Sequence, residues 1–201
     1  MPYDKPIVCD VDGVLINVLD PFLEFHNRKY GTHVFRKDMA QYDLWPLLGV
    51  TKEEAGRRVM EFYKSSQFSN AKPVKGAQKA MRKIAPYTDT YCVTDRPLEI
   101  KGKTVQDLSM SFHKCFLDIS FTNMLLDTKS GKKAQYCRDV GAGTMIEDCI
   151  DHARSCAKEG VKVLLMGEWN KSLDLSKETG AEIKLVSGWE EILELYENGK
   201  L

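Results

Sequence analysis

The chain has 201 residues, enough to bury a substantial core as one domain or as a domain with a modest insertion. Lys plus Arg and Asp plus Glu number 29 each, so no global basic field draws in nucleic acid, and a nucleic-acid polymer is not an expected partner. No apolar run approaches the roughly 20 residues of a membrane span, and the opening MPYDKPIVCD has no signal-peptide core before its acids, so neither membrane insertion nor export is expected.

In chain order, the first apolar run predicts a strand over 7–11, ending in Asp10 and Asp12. LDPFLEFHNRKYG then reads as a helix, with Leu19, Phe22, Leu23 and His26 near one face and Gly31 as its stop. MAQYDLWPLLG follows, rich in aromatics and broken by Pro46. The next helix opens on Thr51 with Glu54 three residues later, the signature of a capping box, and Ala55, Val59, Phe62 and Tyr63 form its apolar stripe. KPVKGAQKAMRKIA is a helix leading to a second strand over 90–94. Beyond it, strands over 117–122, 144–147, 161–166 and 182–186 alternate with helices over 97–112, 132–140, 150–158 and 189–198. This alternation is the mark of an α/β fold with a mainly parallel sheet. The chain between the first two strands is far longer than one crossover helix needs. We therefore expect a small helical subdomain at 18–71, inserted into a core domain made of 1–17 and 72–201.

The six cysteines, Cys9, Cys92, Cys115, Cys137, Cys149 and Cys156, contain no C-x-x-C pair, and the four histidines are scattered, which argues against a structural zinc site. Cys9 and Cys92 fall inside strand-like runs, where a thiol serves as a small hydrophobe. A reducing, cytoplasmic setting is expected.

Chemistry collects where strands end. The first closes on Asp10-x-Asp12-Gly13, the second on Thr94-Asp95-Arg96, and the fourth on Glu147-Asp148, with Lys132 and Lys133 opening the helix before it. Open parallel sheets bind ligands beyond the carboxyl ends of their strands. If the first and fourth strands are neighbours, Asp10, Asp12, Glu147 and Asp148 crowd one space, which is costly unless a cation joins them. An all-oxygen acidic set suits Mg²⁺.

DVDGV, the VTDRP threonine, the lysine helix and MIEDCIDHA together resemble the four motifs of the haloacid-dehalogenase superfamily of phosphohydrolases, in order and across most of the chain. The excursion after the first strand falls where that superfamily inserts its type-1 cap. The resemblance implies a Rossmann-like, doubly wound core and a phosphomonoester as small-molecule substrate. It also implies Asp10 as nucleophile, Asp12 as general acid and then base, and Thr94 and Lys133 as partners of the phosphate. Gly13 would let backbone approach that phosphate. Asp10, the Asp12 carbonyl and Asp148 would hold Mg²⁺, with Glu147 behind them. The fourth motif is Glu-Asp where many members have Asp-Asp, leaving the direct ligand open between Glu147 and Asp148. Lys133 is preferred to Lys132 by its spacing to Glu147.

Asp95 and Arg96 are further candidates for the phosphate site, Arg96 either holding phosphate or pairing with a nearby acid. The FLEFHNRKYG start and the aromatic segment are similar to the 5′(3′)-deoxyribonucleotidase branch. This makes Phe22, Tyr42 and Trp45 candidate substrate contacts, with core packing as their other reading. His26 is read the same way, and His152 as structural. The alternatives are a phosphosugar phosphatase or phosphomutase and, from a different class, a phospho-accepting switch of the receiver-domain kind or a silent binding module. A receiver is shorter and carries no insertion. The expected assembly is a monomer or homodimer.

Overall fold

The computed structural model of the protein describes residues 4–123 and 131–201. Six parallel strands form one sheet: β1 (Ile7–Cys9), β4 (Thr90–Thr94), β5 (Ile119–Phe121), β6 (Thr144–Glu147), β7 (Lys162–Leu165) and β8 (Ile183–Leu185). Their spatial order is β5-β4-β1-β6-β7-β8. The chain winds outward from β1 through β4 to β5, then returns to the other side of β1 for β6. The switch in winding lies between β1 and β6, and a ligand crevice is expected at their carboxyl ends.

Side chains alternate across the sheet, as the strand period requires. Ile7, Cys9, Ile146 and Leu164 face one apolar layer with α4 (Ala77–Ile84), α5 (Lys101–Ser111) and α8 (Trp189–Glu197). Val8, Met145, Val163 and Leu165 face the other, with α6 (Lys132–Asp139) and α7 (Ile150–Lys158). Because both faces are covered, the strands read as continuous apolar runs. All six cysteines are free and buried. Among the described residues no helix is long and apolar enough to cross a membrane.

Two short strands escaped the sequence reading. β2 (Ile16–Asn17) and β3 (Lys72–Pro73) pair antiparallel, Ile16 opposite Pro73, so the chain leaves and re-enters the sheet region side by side. Two residues carry too little periodicity to announce a strand; only their pairing defines it. Between them lie α1 (Leu19–Tyr30), α2 (Leu44–Leu48) and α3 (Lys52–Tyr63). Phe62 is fully buried there and meets Phe22, Phe25, Tyr63 and Phe68, with ring centroids 5.6–5.9 Å apart.

Several boundaries also shift. The first strand stops at Cys9 rather than Val11, because Asp10 and Val11 already belong to the turn toward Gly13. The strand expected over 117–122 narrows to Ile119–Phe121. Residues 98–100 form a 3₁₀ turn ahead of α5, following Pro97. At α3 the Thr51 hydroxyl accepts the Glu54 N–H at 3.2 Å, but the Glu54 carboxylate turns to Arg57 and Arg58. Only half of the capping box forms, since two guanidiniums compete for the acid that would complete it.

Phe62→Ala should cost about 3–5 kcal/mol, the usual range for an aromatic removed from a close-packed core. Urea unfolding read by tryptophan fluorescence measures this. A loss under about 1 kcal/mol would mean that the aromatic cluster is not close-packed.

Candidate active site

At the β1–β6 junction the Asp10 N–H donates to the Ile146 carbonyl at 3.0 Å, which fixes the first acid beside the last residues of β6. The Lys133 ammonium, on the first turn of α6, reaches Asp10 Oδ1 at 2.8 Å and Glu147 Oε2 at 3.0 Å. All three side chains are buried. Lys132, by contrast, points to the Thr122 carbonyl at 3.2 Å. The other oxygen of Glu147 accepts the N–H groups of Asp148 and Cys149, at 3.0 and 3.1 Å, so this acid also shapes the turn after β6.

Asp148 is held by its backbone. Its carbonyl accepts Trp169 Nε1 at 3.0 Å and Asn170 Nδ2 at 2.7 Å, while its buried Oδ1 has no hydrogen-bond partner. Oxygens of Asp10, Glu147 and Asp148 lie within 4.8 Å of one another. Gly13, at φ +81°, closes the cluster from above; a Cβ there would sit 1.9 Å from Asp148 Oδ2. Only a residue without a side chain allows that approach.

Three buried carboxylates thus lie beside one ammonium, which contacts two of them. Burial pushes the Asp10 carboxyl well above the usual carboxylate range, against the pull of Lys133 and with the help of Glu147 and Asp12. Asp148 is raised by burial and by both neighbouring acids. Burial works to lower Lys133, but Asp10, Glu147 and Asp95 outweigh it and keep the ammonium charged. The orphaned Asp148 oxygen and the excess of acids fit a divalent cation, which accepts an all-oxygen shell.

Asp12 lies two residues on from Asp10, in the turn that follows β1. Arg96, almost fully buried, grips both its oxygens, with Nε at 3.0 Å from each and Nη2 at 2.6 Å from Oδ1. The guanidinium is therefore committed to an acid, and Tyr63 adds its hydroxyl to Asp12 Oδ2 at 3.2 Å. Thr94 is buried at the end of β4, and its Oγ1 accepts the Arg96 N–H at 3.2 Å. The Asp95 carboxylate is taken by His152 Nε2, at 2.7 Å, and by the Thr122 hydroxyl. Its side chain is thus held by partners within the protein, although Asp95 lines the cavity beside Thr94.

Above these groups opens a cavity of about 150 Å³. Asp10, Asp12, Thr94 and Lys133 lie on its floor, and Phe22, Tyr42 and Trp45 are among its walls. His26 stays in the interior between Thr32 and Arg58.

The chain matches, over residues 5–192, the family described as 5′ nucleotidase, deoxy (pyrimidine), cytosolic type C protein (NT5C). It belongs to this family. It is thus a phosphatase of the haloacid-dehalogenase superfamily. Among curated proteins none matches the chain. Solved structures share the fold at low identity. A protein from Thermotoga maritima described as a β-phosphoglucomutase is 20% identical, with TM-score 0.64, covering 96% of this chain and 99% of its own. A haloacid dehalogenase-like hydrolase from Streptococcus pneumoniae is 15% identical, with TM-score 0.66 and coverage of 96% and 98%. A HAD hydrolase from Bacillus subtilis described as bound to magnesium is 13% identical, with TM-score 0.65 and coverage of 96% and 98%.

Four residues of this phosphatase site went unremarked in the sequence or were assigned elsewhere. Tyr63 reads as one more member of an apolar stripe, and nothing local reveals its hydroxyl partner. Trp169 and Asn170 follow β7 in a short turn, and nothing in the local sequence ties them to Asp148. Trp169 lines the cavity and meets Tyr42 edge-on at 6.4 Å. His152 was placed on α7, but its bond to Asp95 needs β4 alongside.

Lys133→Met should destabilise the phosphatase by about 3–5 kcal/mol at neutral pH without added metal, as expected when one partner of a buried ion pair is removed. The folded acids then hold protons that the unfolded chain releases, so stability should rise as pH falls from 7 toward the ordinary carboxylate range near about 4. Denaturant melts at several pH values check this; a cost independent of pH would contradict it.

Proposed function

We propose that this phosphatase is a Mg²⁺-dependent 5′-nucleotidase that hydrolyses nucleoside monophosphates, deoxy forms included, through an aspartyl-phosphate on Asp10. The observation that carries the reading is the buried Asp10–Lys133–Glu147 contact beside Asp148, at the floor of an aromatic-walled cavity. An Asp10 oxygen attacks phosphorus, and the ester oxygen leaves with a proton from Asp12. Asp12 then takes a proton from the water that opens the phospho-enzyme. Thr94 donates its hydroxyl to a phosphate oxygen, and Lys133 offsets charge developing on the transferred group. Asp10, Asp148 and the Asp12 carbonyl, backed by Glu147, are the residues that would hold the metal. When bound, it supplies positive charge between an anionic nucleophile and an anionic substrate.

Residues 18–71 are, in this reading, a cap that supplies the walls, and 1–17 with 72–201 the catalytic core. Phe22, Tyr42 and Trp45 give a flat base apolar surface, and stacking contributes about 1–3 kcal/mol per base in single-strand binders. The family name and the six buried thiols support a cytoplasmic setting, and a monomer or homodimer remains the proposed assembly.

Asp10→Asn should remove nearly all turnover while keeping the fold, because an amide cannot form the phospho-enzyme. Chelation should abolish activity and Mg²⁺ restore it, and Asp148→Ala should raise the Mg²⁺ requirement more than Glu147→Ala. The same ranking should appear in Mg²⁺-induced thermal shifts measured without substrate. Activity above a tenth of wild type in Asp10→Asn would remove Asp10 as nucleophile.

Substrate choice is tested by a panel of phosphomonoesters. Nucleoside 5′-monophosphates should show higher kcat/KM than hexose or triose phosphates, and Trp45→Ala should raise KM for nucleotides more than for p-nitrophenyl phosphate. Faster turnover of a sugar phosphate than of every nucleotide would transfer the assignment to a phosphosugar phosphatase.

A further inference from the structure

Tyr63 ends α3, in the segment inserted between β2 and β3, yet its hydroxyl touches the catalytic loop. It is buried, its ring packed edge-on against Phe68 at 4.9 Å and tilted against Phe62 at 5.9 Å. The hydroxyl lies 3.2 Å from Asp12 Oδ2, the oxygen that also accepts Arg96 Nε at 3.0 Å. Phe68 covers the guanidinium, with Arg96 Cζ 5.1 Å from its ring centroid. The Asp12 carboxylate is thus caught between a donor from the β4 exit and a donor from the inserted helices.

A carboxylate on a rotatable side chain needs fixed partners to keep one oxygen aimed at a reacting atom, and small displacements of such groups are costly in rate. Arg96 is itself fixed, buried under Phe68 with Nη1 donating to Thr104 Oγ1 at 3.1 Å, and it holds the carboxylate from the core side. Tyr63 adds a second donor, carried by the inserted segment. We propose that Tyr63 is a positioning residue for Asp12, so that proton delivery to the leaving oxygen depends on the inserted segment being packed against the catalytic loop. The proposal rests on Asp12 being the acid, as set out above.

Tyr63→Phe keeps the ring and its packing, and its melting temperature serves as the check on folding. With Mg²⁺ present, the single-turnover rate at which an alkyl phosphate phosphorylates Asp10 should fall about tenfold, in line with one hydrogen bond to a charged group. KM should stay within about twofold, and the burst of p-nitrophenol from p-nitrophenyl phosphate, whose leaving group needs little protonation, should keep nearly the same rate. Asp12→Asn run beside it should show the same selectivity in stronger form. In the double variant Tyr63→Phe/Asp12→Asn the Tyr63 effect should vanish, because the positioned group is gone. Equal losses on alkyl and aryl esters, a change confined to KM, or no loss at all would overturn the role of Tyr63 while Asp12→Asn keeps its selectivity. If Asp12→Asn itself loses selectivity, the assignment of Asp12 fails first and the positioning role falls with it.

Discussion

The ammonium of Lys133 joins the buried carboxylates of Asp10 and Glu147, with Asp148 beside them, and the geometry of this end of the sheet follows from that contact. At an effective dielectric of about 20, two like charges about 4 Å apart repel by about 4 kcal/mol. Asp10, Glu147 and Asp148 are that close, and Lys133 balances only part of their charge. The cluster therefore stays short of positive charge, and the unpartnered oxygen of Asp148 is where a cation has something to gain. A bound divalent cation would offset that imbalance.

The sheet makes this convergence possible. Asp10 leaves β1 and Glu147 closes β6, adjacent parallel strands on either side of the winding reversal. Both acids exit in the same direction, and α6 presents Lys133 between them. Supporting contacts reach further out. Trp169 and Asn170, beyond β7, hold the Asp148 carbonyl, while His152 and Thr122 hold Asp95 next to Thr94. Gly13 gives up its side chain so that Asp148 can occupy the space.

The inserted helices do more than wall a cavity. Their aromatic cluster, centred on Phe62, carries Tyr63 and Phe68 to Asp12 and Arg96. Packing in the insertion thus reaches the Asp12 carboxylate directly. The paired β2 and β3 bring the two chain crossings together at its base.

Strand runs, helix stripes and the three acid-bearing strand ends were legible in the sequence, because each is written in local periodicity or in adjacent residues. The α/β class followed from those signals, and the phosphatase family from the resemblance of four motifs to a known superfamily. Lys133 was preferred to Lys132 on the spacing that the family resemblance implied, and the fold turns Lys133 to Asp10 and Glu147 and Lys132 to the Thr122 carbonyl. Strand order, the β2–β3 pair, the unfinished capping box at Thr51 and the commitment of Arg96 to Asp12 were decided by the tertiary structure. So were Tyr63, Trp169, Asn170 and His152 as members of the site. A hydroxyl on an apolar stripe or an indole after a strand has no partner within reach along the chain. Its role exists only when folding brings a distant backbone or carboxylate to within hydrogen-bond distance, and no local pattern encodes that.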